Sequence, residues 1–330
     1  FILKNKMNIF LKTTNLLKSK IKTTFPNVAN HYKTINECLD IYQEAMITSG
    51  ISEKTIQNRI SYISKIRNSI GMKRIRTIKP VDVSNMLKNI RINSPHTSKR
   101  VFMESRSFFN ESLINGWIDF NPILQIKAPI AKVTRQRMTL EDWLAMFEYA
   151  KNNGTGWAWR LLLLALLTGQ RRSDLSNMKF SDVYDEHLHV TQNKTGAKVA
   201  IPLSLRLDEV GLSIGEAIEL CRGYTESDGQ HDDYMIRKTT GGKPSLASLS
   251  ARFEYIREQV FGKHLESNSS PFTLHEIRSL SARLYYEHGE IEVQTLLGHA
   301  SFKMTAMYIN DRGKSRQLGK FKVVKSLRKD

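Results

Sequence analysis

The chain has 330 residues, of which 40% are apolar and 25% charged, enough for two globular domains of ordinary composition. Its 50 Lys and Arg against 32 Asp and Glu give a net charge of +18, which indicates a polyanionic partner, nucleic acid before a membrane surface. The most apolar run, Leu161 to Leu167, is too short to span a membrane, and two cysteines provide neither a disulfide framework nor a metal cluster.

The positive charge is concentrated in the first part of the chain. Residues 1–30 hold six lysines and no acidic residue, and we predict a basic N-terminal arm there. Residues 31–137 hold 18 basic and 8 acidic residues, whereas the rest holds 26 and 24. The N-terminal part is therefore the predicted electrostatic clamp, and chemistry in the C-terminal part must depend on individually placed charges.

Residues 31–126 have the apolar spacing of helices, so we predict a compact helical domain there. The first predicted helix ends before Gly50, and the fourth ends at Asn115-Gly116. The four predicted helices begin at His31, Ser52, Pro80 and about Ser98.

Residues 127–137 contain Pro129 and four basic residues, which indicates an exposed interdomain linker, although a plain surface loop fits as well. A second domain is predicted over 138–313. Its leucine-rich helix ends at Gly169, and two β-type runs around Gly196 predict a hairpin. Helices are then predicted near 213–222, 246–260, 275–288 and 291–297. The predicted fold is mainly α with a small antiparallel β-sheet.

Four short segments of the second domain contain the candidate catalytic residues. Each has an ordinary interpretation by itself, such as a surface ion pair, a solvated turn lysine, a helix cap or a core tyrosine. The segments are Thr168-Gly169-Gln170-Arg171, Asn193-Lys194-Thr195-Gly196, His275-Glu276-Ile277-Arg278, and Leu297-Gly298-His299 with Tyr308 nine residues further on.

Together and in this order, the segments resemble the tyrosine site-specific recombinases, and among them the phage integrases of the lambda type. The resemblance covers about residues 31–313 and is most specific in the second half. It implies a helical core-binding domain followed by a mixed α/β catalytic domain. The matching stretches are TGQRRSDLSNMKFSDV (168–183), NKTGAKVAIP (193–202), TLHEIRSLSARLYYEHG (273–289) and LLGHASFKMTAMYINDRG (296–313).

The resemblance assigns a nucleophile, Tyr308, which attacks a DNA phosphodiester. Planar guanidinium groups suit the non-bridging phosphate oxygens, so Arg171 and Arg278 are expected to stabilise the transition state, with His299 adding a hydrogen bond. Lys194 is expected to protonate the departing 5′ oxygen, and His275 to accept or orient the tyrosine proton. Asp174 would support Arg171 through an ion pair, although a solvated helix-turn residue is an equally good interpretation.

No metal and no cofactor are expected. Two arginines supply the positive charge that Mg²⁺ supplies in many nucleases. His275-Glu276-Ile277-Arg278 also differs from the zinc-binding pattern His-Glu-x-x-His.

The first domain is expected to bind DNA opposite the catalytic domain, mostly through phosphates. A solvated helix face is the alternative for any single residue. The predicted DNA-binding residues are Lys54, Thr55, Asn58 and Arg59 on one helix and Lys99 and Arg100 on another.

Two features depart from the family pattern. Only 30 residues precede His31, too few for the arm-binding domain of lambda-type integrases, which is expected to be absent or truncated. The predicted basic tail at 314–330 contains Phe321–Val324, which could be the family's strand that packs on a neighbouring subunit. A disordered basic tail is the open alternative.

The predicted function is site-specific recombination that inserts or excises a mobile element through a 3′-phosphotyrosine intermediate. The expected partners are double-stranded DNA attachment sites, three further copies of the chain in a homotetramer, and host DNA-bending and excision proteins, with no membrane. The expected location is the bacterial cytoplasm, at the nucleoid.

Two other functions remain as alternatives: a type IB topoisomerase-like enzyme acting on a single duplex, and a non-catalytic DNA-binding regulator. The six catalytic residues argue against the regulator, because binding alone does not require them.

Overall fold

The computed structural model describes residues 33–131, 136–153, 156–226, 233–238, 240–262, 270–289 and 291–309. The chain divides into two compact units, Phe1–Val133 and Thr134–Asp330. The predicted basic arm at 1–30 and the basic tail at 314–330, with its segment 321–324, lie outside the described residues. So do residues 132–135 of the predicted linker.

The first unit is built from helices that share one apolar core. Ile35 and Leu39 of the first helix, Ile63 of the second and Phe108 of the fourth are almost completely buried there. The helices are α1 (Ile35–Ile47), α2 (Glu53–Ile70), α3 (Pro80–Asn93) and α4 (Pro95–Ile114), with 3₁₀ turns at Ile75–Thr77 and Pro122–Gln125. The four helices predicted from the apolar spacing are therefore present.

Side-chain caps set where these helices begin. The Thr34 hydroxyl accepts from Glu37 N and the Glu37 carboxylate accepts from Thr34 N, so α1 starts at Ile35 rather than His31. Ser94 caps α4 through Thr97 N, which places the start three residues before the predicted Ser98. Ser98 is instead buried within the helix, where its hydroxyl donates to the Leu87 carbonyl at 2.8 Å.

The second unit is organised around one deeply buried helix. The leucines between positions 161 and 167 of the helix Ala158–Thr168 are at most 1% exposed, as the apolar run predicts. The helices that pack around it are Leu140–Asn152, Ile214–Glu226, Leu246–Phe261 and His275–His288. No helix in the described part of the chain is long and apolar enough to cross a membrane. The helices are α5 (Leu140–Asn152), α6 (Ala158–Thr168), α7 (Arg172–Leu175), α8 (Ile214–Glu226), α9 (Leu246–Phe261), α10 (His275–His288), α11 (Val293–Leu296) and α12 (Phe302–Ile309).

The predicted hairpin is the main part of a three-stranded antiparallel sheet in the order β1-β2-β3. Leu188 pairs with Ile201 and Val190 with Val199, so the apolar residues of β2 and β3 share the buried face. The strands are β1 (Val183–Tyr184), β2 (His187–Thr191) and β3 (Lys198–Pro202), and β4 (Arg206–Leu207) pairs separately with β5 (Leu212–Ser213). The two-residue strands show too little alternation to be seen in a sequence.

The last helices of the second unit differ in burial. Residues 276 to 285 of α10 are all buried, and α10 packs against both α6 and α12. In α12, by contrast, Thr305 is the buried residue. α12 is therefore attached to the unit over a small area, mainly on α10.

Candidate active site

The six predicted catalytic residues come together on one side of the second unit. Arg171, Lys194, His275, His299 and Tyr308 line an open cleft of about 790 Å³. Arg278 lies directly behind it, with its guanidinium carbon 5.6 Å from the centre of the Tyr308 ring. The predicted DNA-binding residues belong to the first unit and are not part of this cleft.

Arg278 is held rigidly from behind. It is 1% exposed, and its two terminal nitrogens donate to the carbonyls of Gly169 and Leu297, each at 2.6 Å. Gly169 ends α6 with φ of 61°, a conformation that glycine adopts without strain and that turns its carbonyl toward Arg278. Burial and the nearby charge of Arg171 lower the pKa of Arg278 to about 10, so the side chain remains a cation at neutral pH.

Arg171 is oriented by a buried glutamine that sequence reasoning missed. Its Nη1 donates to the Gln192 Oε1 at 2.5 Å, and the Gln192 Nε2 donates to Gln170 and to the Leu297 carbonyl. A Cβ at Gly298 would lie 2.7 Å from the Gln192 amide nitrogen, so glycine leaves room for this network. One signal was available: Gln192 is a polar residue that continues the buried alternation of Leu188 and Val190.

Asp174 does not make the ion pair with Arg171 that the sequence suggested. Within the described chain, its buried Oδ1 accepts from the backbone N–H of Asn193 at 3.0 Å and from the Ser173 hydroxyl. A carboxylate satisfies a free turn N–H well, and Arg171 already has a partner in Gln192. Asp174 therefore anchors the turn that carries Lys194.

Lys194 extends from the β2–β3 turn at the edge of the cleft. It is exposed, and the turn closes through Gly196, which has φ of 69°. The backbone N–H of Gly196 donates to the Gln192 carbonyl at 2.8 Å, and the Thr195 hydroxyl donates to the Gln192 Oε1. The turn is thus fixed at its base, while the long lysine side chain keeps its reach into the cleft.

Tyr308 is flanked by two histidines, His275 and His299. The His275 Nε2 lies 3.0 Å from the Tyr308 hydroxyl oxygen, while the His299 ring centre is 5.1 Å from the tyrosine ring centre. Burial first, and then the charges of Arg278, Arg171 and His275, lower the pKa of His299 to about 4. His299 is therefore neutral at physiological pH.

The hydrogen bonds of His299 define its tautomer. The Arg278 Nη2, which can only donate, lies 3.1 Å from the His299 Nε2, so Nε2 accepts and the ring proton is on Nδ1. Nδ1 in turn faces the hydroxyl of Thr305 at 3.0 Å. Thr305, which sequence reasoning also missed, connects α12, the helix of the predicted nucleophile Tyr308, to this histidine.

The predicted DNA-binding residues of the first unit differ in how free they are. Lys54, Asn58, Lys99 and Arg100 are exposed. Arg59 instead donates to the carboxylate of the buried Glu104 at 3.0 Å and to the Tyr42 hydroxyl. The Thr55 hydroxyl lies 2.9 Å from that of the helix cap Ser52. The guanidinium of Arg59 is therefore held by hydrogen bonds to residues of its own unit.

A stability change with pH follows from the neutral state of His299. The unfolded chain takes up this proton near the ordinary pKa of 6.5, but the folded site resists it until about 4. The contribution of this group to the free energy of unfolding is therefore complete above pH 6.5 and falls as the pH drops toward 4.

We expect the urea midpoint to fall less between pH 7 and pH 5 in His299→Gln than in wild type. The exposed His96 gives a control, His96→Gln, which should keep the wild-type fall. Equal falls in all three proteins would contradict the prediction.

Removing the Gln192 amide should weaken both the fold and the reaction. In Gln192→Met the carbonyl of Leu297 and the Gln170 amide oxygen lose a buried donor, which should cost about 2–4 kcal/mol of unfolding free energy. Arg171 also loses its orienting acceptor, so the DNA cleavage that the sequence predicts should slow about 10- to 100-fold. Urea denaturation and single-turnover cleavage measure the two effects. The exposed Gln259 provides the matched variant Gln259→Met, and a Gln192→Met protein that matched it in rate would show that Arg171 needs no such partner.

The described residues include no group of three or more His, Cys, Asp or Glu side chains placed to hold a metal ion. The cationic side chains of Arg171, Arg172 and Lys194 line the cleft, and Arg278 lies directly behind it.

Comparisons with known proteins agree on one family. The sequence profile of the phage integrase family matches residues 136–314. The prophage integrase IntE of Escherichia coli strain K12 is 36% identical over 292 residues, covering 85% of this chain and 76% of that protein. The integrase of Escherichia phage lambda is 31% identical over 283 residues, covering 85% of this chain and 77% of that protein.

Solved structures give the same result over both units. A lambda integrase(75–356) dimer bound to a COC′ core site matches with a TM-score of 0.78 and 32% identity, covering 88% of this chain and all of that chain. A lambda integrase tetramer bound to a Holliday junction matches with a TM-score of 0.78 and 30% identity. That match covers 94% of this chain and 88% of the other.

Proposed function

Because the chain belongs to the phage integrase family, and is therefore a tyrosine recombinase, we propose that Tyr308 is the nucleophile that forms its covalent bond to DNA. The observation that carries this assignment is the 3.0 Å approach of the Tyr308 hydroxyl to the His275 Nε2, beside the buried cation of Arg278. A phenol is a weak nucleophile until a base and nearby positive charge favour its ionised form. In the proposed reaction His275 would be the base, and Arg278 would supply the positive charge.

The cleavage step can be written with every atom accounted for. The Tyr308 oxygen attacks the scissile phosphorus and its proton passes to His275. The bond from phosphorus to the 5′ oxygen breaks, and Lys194 gives the departing oxygen a proton. A 3′-phosphotyrosine and a free 5′ hydroxyl remain. Attack by the 5′ hydroxyl of another strand reverses the steps and reseals the DNA without ATP.

Arg171 and Arg278 would stabilise the negative charge that grows on the non-bridging oxygens. The Arg278 Nη2 donates to the Leu297 carbonyl and to the His299 Nε2, whereas Nη1 uses one hydrogen for the Gly169 carbonyl, so its second hydrogen would face a phosphate. A phosphate at this place would also offer an acceptor to Arg171 next to Gln192. Such preorganised donors cost no reorganisation during the reaction.

The wider assignment is also a proposal. Lambda integrase is seen as a dimer on a core site and as a tetramer on a Holliday junction. We propose that this chain likewise acts as a homotetramer on double-stranded attachment sites, at the nucleoid of a bacterial host, with host DNA-bending and excision proteins. The exposed Lys54, Thr55, Asn58, Lys99 and Arg100 would contact phosphates from the first unit, while Arg59 would act there mainly through its contacts with Glu104 and Tyr42.

The test of the function is covalent trapping. The full chain is incubated with supercoiled plasmid in EDTA and quenched with detergent, and relaxed topoisomers and protein-linked DNA are measured. Relaxation with adducts is the expected result, because arginine cations replace a metal in the proposed mechanism. Binding without adducts, on the plasmid and on a nicked duplex carrying the junction sequence of the element, would contradict catalysis. Joining of two plasmids that each carry the junction would distinguish recombination from topoisomerase-like relaxation of one duplex.

A further inference from the structure

Arg137 joins the two helices that carry the nucleophile and its base. Its Nη1 donates to the Glu276 carboxylate at 3.1 Å and to the Ser279 hydroxyl at 2.5 Å, both on α10. Its Nη2 donates to the backbone carbonyl of Met307 on α12 at 2.9 Å. One planar group therefore spans the gap between α10 and α12.

These contacts fall next to catalytic positions on both helices. Glu276 follows His275 and Ser279 follows Arg278, while Met307 immediately precedes Tyr308. The α10 residues that Arg137 contacts are thus the immediate neighbours of the α10 residues that contact Tyr308. A shift of this guanidinium would move the Tyr308 backbone relative to His275.

Two further contacts join α12 to the rest of its unit. Among its described residues Thr305 is the buried one, and its hydroxyl faces His299. Arg137 donates to the Met307 carbonyl near the described C-terminal end of α12, where a cation also complements the negative end of the helix dipole.

The ion pair beneath this contact is sheltered from water. The side chains of Arg137 and Glu276 are 13% and 11% exposed, so solvent screens their attraction far less than that of a surface pair. The Glu276 carboxylate also fixes the guanidinium plane through Nη1, which leaves Nη2 directed at α12. The sequence placed Arg137 at the end of an exposed linker, but the structure uses it inside the second unit.

We propose that Arg137 is a positioning residue that docks the nucleophile helix on α10 and so sets the distance between Tyr308 and His275. The inference rests on the proposed role of Tyr308. Arg137 is the fourth residue of the second unit, which begins at Thr134. The residue that joins α10 and α12 therefore lies close in sequence to the boundary between the two units.

The test compares cleavage, binding and local order in three variants of the full chain. Arg137→Met keeps the length of the side chain and removes its donors. Arg137→Lys keeps the charge but cannot span both helices. Arg283→Met is the matched control, because the buried Arg283 donates to the Met138 carbonyl at 2.6 Å in the same corner of the unit.

If Arg137 positions α12, its loss should lower the rate of adduct formation and leave the affinity for DNA unchanged. With saturating supercoiled plasmid, Arg137→Met should form covalent adducts about 10- to 100-fold more slowly than wild type, because misplacement by about 1 Å costs that much. The rate of adduct formation by Arg137→Lys should lie between the rates of Arg137→Met and wild type. The Kd for a fluorescent duplex should be unchanged. Hydrogen exchange in the peptide 302–309 should be faster in Arg137→Met than in Arg283→Met, at matched thermal midpoints.

The outcomes separate the inference from the function it rests on. Adduct formation by Arg137→Met within about twofold of wild type would overturn the docking role. The same conclusion would follow if Arg283→Met slowed cleavage and loosened 302–309 equally, since a general loss of stability would then explain both. If wild type itself formed no adduct, the assignment of Tyr308 would fail first.

Discussion

Tyr308→Phe should form no covalent adduct and should relax no plasmid, with cleavage reduced by at least about 10⁴-fold, as for loss of a nucleophile in other covalent enzymes. The substitution removes the oxygen that lies 3.0 Å from the His275 Nε2 and keeps the ring between the two histidines. The fold and the affinity for DNA should therefore stay close to those of wild type.

Tyr286→Phe is the matched control for this experiment. Tyr286 is 52% exposed on α10, and the change removes one phenolic oxygen from the same unit without touching the cleft. Gel shift and detergent-trapped adducts measure binding and chemistry side by side. Adducts in Tyr308→Phe at the wild-type rate would mean that another residue attacks the phosphate.

Arg278→Lys should be nearly as damaging although it keeps the positive charge. Lysine has one nitrogen, so it cannot hold the carbonyls of Gly169 and Leu297 and still direct donors at a phosphate. We expect cleavage to fall at least about 10³-fold, the scale seen when a transition-state arginine is lost. At least one buried carbonyl should also lose its donor, at a cost of about 1–3 kcal/mol in unfolding free energy.

Arg257→Lys separates these two effects. Arg257 is 7% exposed and its guanidinium donates to the Phe272 carbonyl at 2.8 Å, outside the cleft. It should lose a similar amount of stability in urea denaturation and keep its single-turnover cleavage rate. If both variants lost activity in proportion to stability, the special role of Arg278 in the reaction would be refuted.

The proposed catalytic residues could be chosen from the sequence because the chemistry restricts their type and order. Arg171, His275 and Tyr308 were predicted from short motifs, and in the structure all three line one cleft. The buried helix and the β2–β3 hairpin were also visible, since their apolar spacing is regular.

The residues that position the proposed catalytic groups could not be predicted from the sequence, for a physical reason. Gln192, Thr305 and Arg137 act through contacts with residues up to 170 positions away, and a local pattern carries no information on such partners. Asp174 shows the same limit. Its spacing from Arg171 suggested an ion pair, but the backbone of Asn193 competes for the carboxylate. The predicted start of α4 at about Ser98 was wrong because the residue that caps this helix, Ser94, lies about one turn earlier.

Arg171 and Arg278 are both hydrogen-bonded by neutral oxygens, Arg171 by an amide and Arg278 by two backbone carbonyls. Their charges therefore stay uncompensated by direct carboxylate partners, and their mutual repulsion adds to burial in lowering the pKa of Arg278. Small anions such as sulfate would relieve this repulsion by mass action, while competing with the DNA backbone for the same donors. Storage stability and turnover should then respond in opposite directions to the anion concentration of the buffer.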